Sequence, residues 1–204
     1  MNETKEKIME VSLDLFSRKG YAAVSIRDIC RQVGIKESSV YYHFKNKQAI
    51  FDEILSRFQE KAANLMSHFT SAMAGDWHAA DDNYYRKVCN YFFEKYLIDD
   101  FCNKVMRLML MEQFHNEKIK EAYDYWMFTK PLEFQSGIFQ MLIDRGMLPD
   151  GDSEYMAIRY YAPIFFFAQK WLLCGPLSDE NKNAFRKAAY QHIQCFFSEL
   201  GGTK

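Results

Sequence analysis

Residues 25–47 read SIRDICRQVGIKESSVYYHFKNK, and this stretch decides the fold. Compact Cys30, then Gly34 four residues on, then apolar Val40 six further, meet the demands of two short helices crossing near a right angle. Such a crossing needs a small residue at the contact, a turn residue tolerant of positive φ, and an apolar anchor on the second helix. Ser25 opens the first helix, its hydroxyl able to accept from an orphan amide of the first turn, with Asp28 three residues on as an imperfect capping box. Ile26, Ile29 and Val33 follow at helical spacing. The second helix is expected over residues 36–42, after which His43, Phe44 and Lys45 lead to Asn46, an N-cap for a longer helix. So short a helix is not stable alone. An upstream helix with Ile8, Val11, Leu15 and Phe16 on one stripe supplies its support.

Working outward, the chain has 204 residues, 49% of them hydrophobic, with a formal net charge of -1. That balance suits a soluble chain with a small N-terminal domain and a larger core-bearing one. Charge is unevenly distributed: between Gly20 and Lys47 the bases Arg27, Arg31, Lys36, Lys45 and Lys47 outnumber the acids Asp28 and Glu37, a local basic face suited to phosphate. No apolar run approaches the roughly 20 residues that span a bilayer. The start MNETKEKIME lacks the apolar core of a secretion signal, so the expected location is the cytoplasm. Cys30, Cys89, Cys102, Cys174 and Cys195 are widely spaced with no C-x-x-C pair, which indicates neither a disulfide framework nor a zinc knuckle.

The series Ile8, Leu15, Phe16, the Gly20-Tyr21 break, Val24-Ser25, Ile29, Val33-Gly34-Ile35, Ser39-Val40-Tyr41-Tyr42-His43-Phe44, and Lys47 ahead of Ile50 resembles the DNA-binding domain of the TetR family of bacterial transcriptional regulators. Cys30 departs from it, standing where the family usually has alanine. The rest of the chain is similar to the family in length and helical character only. The resemblance implies a sequence-specific DNA-binding regulator, a repressor released from a pseudo-palindromic operator by a small lipophilic or aromatic effector. No cofactor, metal or enzymatic activity is implied.

The expected fold is all-α. A three-helix helix-turn-helix domain would occupy residues 1–46, and a helical ligand-binding and dimerisation domain residues 47–204, with a helix over 47–74 connecting them. Ala74-Gly75-Asp76 would close that helix before a polar loop at Asp81 to Asn83. Tyr84, Tyr85, Tyr91, Phe92, Phe93, Tyr96 and Leu97 follow as an aromatic helix. Further helices are expected over 101–114, over 116–145 with a break at Pro131, from Asp152 or Ser153 to Cys174, and from Ser178 to Leu200.

By resemblance and by chemistry, Lys47 is a phosphate clamp, Tyr41 and His43 donate to backbone oxygens, and Ser25 with Arg27 adds phosphate contacts. Lys36, Glu37, Ser38 and Ser39 would face base edges in the major groove. Glu37 either accepts from a cytosine amino group or is solvated; Tyr42 either stacks on DNA or packs.

The last two helices are apolar over most of their surface, which a two-fold four-helix interface would resolve. Its residues would be Tyr161, Phe165, Phe166, Trp171, Phe185, Ala189, His192 and Phe196, the other reading being a core pair within one chain. By resemblance a ligand pocket lies ahead of these helices. Met106, Arg107, Met109, Phe114, Tyr123, Trp126, Met127 and Phe134 are its candidate lining, since methionines with aromatic walls suit a lipophilic or flat ligand. Ordinary core packing explains the same composition.

Two other classes bear on the reading. A regulator that senses no small molecule needs the same N-terminal residues and a dimer. A helical-bundle metalloenzyme is suggested only by Glu112 and His115, one E-x-x-H without the second copy a di-iron site requires, and by His78 with Asp81 and Asp82.

Overall fold

The structure, a computed structural model, describes residues 3–73 and 90–201. The expected helix end at Ala74-Gly75-Asp76, the loop at Asp81 to Asn83, Tyr84, Tyr85, Cys89 and the His78, Asp81 and Asp82 group lie outside them. Among the described residues the regular structure is helical, with no strand. Helices α1 (Glu3–Lys19), α2 (Ile26–Val33), α3 (Glu37–His43) and α4 (Lys47–Met73) come first. A π-helical turn at Phe93–Leu97 then precedes α5 (Asp100–Glu112). The chain continues through α6 (Glu117–Asp124), a second π turn at Tyr125–Thr129, α7 (Lys130–Asp144), α8 (Ser153–Ala168), a third π turn at Gln169–Leu173 and α9 (Asp179–Glu199). It forms two compact units, Met1–Ile119 and Lys120–Lys204.

In the first unit α1 packs on α2, α4 and α5. Its apolar stripe runs through Ile8, Met9, Leu13 and Phe16, all buried. Val11 and Leu15, expected on that stripe, are only half-buried because the helix phase brings Leu13 inward in their place. Charges fasten α1 to α4: Lys5 meets Glu53 at 2.9 Å, and the Arg57 guanidinium is held by Glu6 on one side and Glu53 on the other. Asn46 caps α4, its side chain accepting from the Ala49 amide at 2.9 Å.

The second unit is held by rings. Phe139 of α7 lies 5.6 Å from Tyr160 of α8 and 5.5 Å from Phe196 of α9, centre to centre, spacings at which edge and tilted aromatic pairs attract. The break near Pro131 is the π turn just before it; the proline itself lies in the first turn of α7. Asp152 caps α8 by accepting from the Glu154 and Tyr155 amides, and Ser178 caps α9 by accepting from Asn181.

The expected subunit face divides. Tyr161, Phe185, Ala189 and Phe196 are buried within their own chain, because α8 packs on both α7 and α9 and the broad apolar faces cover one another. The Tyr161 hydroxyl donates to the Met127 carbonyl at 2.9 Å, an internal partner. Phe165, Trp171 and His192 are half-buried. Facing outward from α8 is a stripe of Tyr155, Ile158, Ala162 and Phe166, with Phe166 at 59% exposure.

Candidate nucleic-acid interface

The geometry of the helix pair follows from its capping. Ser25 accepts from the Asp28 amide while the Asp28 carboxylate accepts from the Ser25 amide, so the capping box is complete with aspartate in place of the longer glutamate. The hydrogen bond from the Ser25 hydroxyl holds the Asp28 carboxyl below its ordinary range. At the other end Gly34 sits at φ +82°, its amide bonded to the Cys30 carbonyl at 2.9 Å, a left-handed cap that turns the chain into α3. A Cβ there would meet nothing within 4 Å, so the requirement for glycine is conformational and not steric. Val40 anchors α3 at 0% exposure and Phe44 closes it at 4%.

What α3 leaves outside is the candidate reading surface. Lys36, Ser38, Tyr41 and Tyr42 are exposed, Tyr42 at 82%; Glu37, Ser39 and His43 are half-buried. The Tyr42 ring meets the His43 ring edge-on at 4.9 Å and otherwise projects into solvent. Glu37 is paired: its carboxylate accepts from Arg27 Nε at 3.0 Å, tying the start of α3 to the start of α2. An exposed pair of this kind contributes roughly 0–1 kcal/mol, so DNA can exchange it for phosphate and base contacts at little cost.

Lys47 is more constrained than a free cationic arm. Its ammonium donates to the Tyr21 carbonyl at 2.8 Å and the Val24 carbonyl at 2.7 Å, and lies 4.2 Å from the centre of the Tyr21 ring. An ammonium has three N–H donors, so one remains for a phosphate. Burial pushes the Lys47 pKa down, and the charge of Glu112 opposes that shift. The Tyr21 hydroxyl donates to Gln48 Oε1 at 3.0 Å, while burial, with Asp52 and Glu112, raises its pKa. Ser25 and Arg27 are exposed ahead of and within the first turn of α2, on the same segment as these carbonyls.

The candidate pocket residues are shared between the two units. Met106 and Met109 are buried in the first unit, whereas Tyr123, Trp126 and Met127 are buried in the second. Arg107 and Phe134 are half-buried. Phe114 must be corrected: at 84% exposure, just past the end of α5, it faces solvent and lines nothing. The Tyr123 hydroxyl accepts from Gln169 at 3.0 Å, a polar contact inside this aromatic region. A separate open groove of about 590 Å³ lies along α4, lined by Arg57, Lys61, His68, Tyr91 and Lys95 among others. Burial holds the Cys102 thiol well above the ordinary range, so it is not a reactive nucleophile at neutral pH.

One residue that the sequence singled out for metal chemistry makes a different contact. Glu112, at the end of α5 and 8% exposed, accepts from the Tyr21 amide at 2.8 Å. The available signal was a carboxylate three and four residues beyond Met109 and Leu108, on the apolar stripe of an amphipathic helix.

A supporting helix, a left-handed glycine turn and an exposed second helix flanked by cations define a helix-turn-helix DNA-binding module. The sequence model described as "Bacterial regulatory proteins, tetR family" matches residues 8–54. Over 195 residues the chain is 32% identical to the biofilm operon icaADBC HTH-type negative transcriptional regulator IcaR of Staphylococcus epidermidis, covering 96% of this chain and 100% of that protein. The chain belongs to the TetR family, whose members are DNA-binding transcriptional regulators. Two other curated relatives are matched over only 26% and 34% of their own lengths. Among solved structures, a TetR-family regulator from Mesorhizobium loti superposes with a TM-score of 0.71 at 19% identity, covering 96% of this chain and 95% of that one. The complex of SmeT with triclosan gives 0.68 at 21%, covering 95% and 91%; SmeT is the repressor of the Stenotrophomonas maltophilia multidrug efflux pump SmeDEF. At these identities the likeness is one of fold.

Proposed function

We propose that two copies of this chain pair through α8 and α9, and that the dimer represses transcription by placing both α3 helices on a pseudo-palindromic operator. The observation that carries this reading is the exposed face of α3, where Lys36, Ser38, Tyr41 and Tyr42 project from a helix fixed by Val40 and Gly34. The outward stripe Tyr155, Ile158, Ala162 and Phe166 supports pairing, since apolar side chains at helical spacing on one solvent face call for a cover. Repression is supported by the full-length likeness to IcaR, a negative regulator. Ser25, Arg27, Tyr41, His43 and Lys47 act on phosphates; Lys36, Glu37, Ser38, Ser39 and Tyr42 face the groove.

The effector is a small lipophilic or aromatic molecule. SmeT, of the same fold, forms a complex with triclosan, and the methionine and aromatic content of residues 106–134 suits such a ligand here. Control without a small molecule is the second reading. It is favoured by the full burial of Met106 and Met109, each at 0% exposure, which is how ordinary core side chains sit. Triclosan separates the two: on the first reading it raises the melting temperature, as any ligand of the native state must. No shift at saturation supports the second.

Selection of bound duplexes from a random pool tests the main reading. Inverted half-sites whose centres lie about one helical turn or a multiple apart, roughly 34–36 Å per turn, are expected. Phe166→Asp should then yield a folded monomer in sedimentation that no longer holds the selected duplex. A single half-site bound equally well by that variant refutes the dimer reading.

A further inference from the structure

We propose that Glu112 is a positioning residue for DNA contact: its buried carboxylate fixes the Gly20–Tyr21 turn and, through the backbone of Tyr21, the ammonium of Lys47. The inference rests on the reading above that Lys47 meets a phosphate.

The geometry is a relay across one residue. On one side of Tyr21 the main-chain amide donates to Glu112 Oε1 at 2.8 Å; on the other its carbonyl accepts from Lys47 Nζ at 2.8 Å. Carboxylate and ammonium therefore hold the two peptide groups that flank the Tyr21 Cα, so the carboxylate helps to set where the carbonyl meets Lys47. The approach is close because Gly20 permits it. A Cβ on Gly20 would lie 3.1 Å from Glu112 Oε1, and its φ of +84° is one that glycine adopts freely. The Tyr21 ring locks the turn from below, edge-on to Phe16 at 5.2 Å and to Phe51 at 5.4 Å.

The carboxylate has no packing reason to be where it is. Val105, Leu108 and Met109 on the same face of α5 are apolar and buried, and a leucine at 112 would continue that stripe without the penalty of desolvating a charge. What a carboxylate supplies is a strong acceptor for an amide and a negative charge beside Lys47; burial disfavours the ammonium and Glu112 offsets that. The rest of α5 is aligned for this task. Asp99, which caps the helix by accepting from the Cys102 amide, is bound by Lys61 of α4 at 2.8 Å. Lys104 reaches Asp14 of α1 at 3.4 Å. So α5 is tied at its start, along its length and at its end to the helices that carry α2 and α3. Glu112 thus has a use without any metal.

The test is a double-mutant cycle in the full-length protein, with the duplex selected above and dissociation constants measured across a salt series. Lys47→Ala is expected to weaken binding and reduce the salt slope by about 1. Glu112→Ala is expected to weaken binding about tenfold, the scale of losing one charge-assisted hydrogen bond. Glu112→Gln, which keeps the shape and a neutral acceptor, should fall between it and the unchanged protein. In the Lys47→Ala background either Glu112 substitution should change affinity less than about twofold, because the group it positions is gone. An equal loss in both backgrounds, or affinity unchanged or raised by Glu112→Ala, overturns the proposal while leaving Lys47 as a contact. A Lys47→Ala variant that binds with unchanged affinity and slope removes the phosphate contact and the inference together. If Glu112→Ala proves too unstable to titrate, the isosteric Glu112→Gln carries the cycle alone.

Discussion

In the unit Met1–Ile119 the helices are joined by polar links with named partners: Lys5 to Glu53, Arg57 to Glu6, Lys61 to Asp99, Lys104 to Asp14, Glu112 to the Tyr21 amide. In the unit Lys120–Lys204 the corresponding work falls to rings, with Phe139, Tyr160, Phe196 and Phe197 within 6.4 Å of one another centre to centre. The difference matches what each unit must do. Polar links are directional and hold α2 and α3 at a defined angle, as a reader of DNA requires. Ring packing is less directional, so the same kind of side chain serves inside one chain or between two.

The strongest way to break that comparison is at α8 and α9. Phe185 is 0% exposed and belongs to its own chain, so Phe185→Ala should destabilise the unit by about 3–5 kcal/mol, the range for deleting a buried phenylalanine. That loss, read from urea unfolding, should not depend on protein concentration. Phe166→Ala should behave oppositely: a smaller loss that shrinks as the protein is diluted, because partner binding stabilises by mass action and dilution takes that stabilisation from the unchanged protein too. Concentration dependence at Phe185 would return it to the subunit face.

At the other pole, the turn between α2 and α3 sharpens the contrast, because its cost is purely backbone. Gly34→Ala places a Cβ in open space at φ +82°, so only the left-handed conformation is penalised, by about 1–2 kcal/mol. Gly20→Ala should lower the melting temperature further, since it adds the 3.1 Å approach to Glu112. Equal losses at the two glycines would show that the Glu112 approach is relaxed in solution.

These two glycines explain why the N-terminal region was legible. Ser25, Asp28, Gly34, Val40 and Asn46 each satisfy a local rule, a cap, a turn or an anchor, and local rules are visible in a one-dimensional string. The upstream stripe was misplaced by one helical phase, Leu13 replacing Leu15, because six apolar residues over residues 8–16 admit more than one register. Farther on, the helices were found but not their faces. Phe185 and Phe166 have the same side chain on neighbouring apolar helices; only the way α9 packs on α8 and the third π turn decides that one is core and the other outward. Glu112 was read as half of a metal motif because its partner, a backbone amide 91 residues away, has no side-chain signature. Lys47 and Arg27 were assigned to phosphate without their internal partners for the same reason: backbone carbonyls and a pairing with Glu37 across the turn are not written in spacing.

The smallest expected effect concerns pH, and it too separates the units. Hydrogen bonding to Arg57 holds the Glu6 carboxyl below its ordinary value of 4.5, and hydrogen bonding to Lys5 does the same for Glu53. Both groups are held ionised more firmly in the folded chain than in the unfolded one. Their contribution is therefore complete above the unfolded value and is lost as the pH falls through the folded value. Each side chain is about a third exposed, 34% for Glu6 and 36% for Glu53, so water and salt screen much of the gain. The α1 to α4 contact should thus loosen modestly as the pH falls below the ordinary carboxylate value of 4.5. The ring-packed unit, whose α8 to α9 ion pair Arg159–Glu199 is exposed and whose described centre holds no buried carboxylate, should hold. Amide exchange followed by mass spectrometry at stepped pH checks this once intrinsic rates are corrected: protection should fall first in peptides from α1 and the start of α4, then in those from α8 and α9. Glu6→Gln should flatten the first fall. Simultaneous loss of protection in both units, unaffected by that substitution, would mean that the charges of the N-terminal unit shape its geometry without stabilising it.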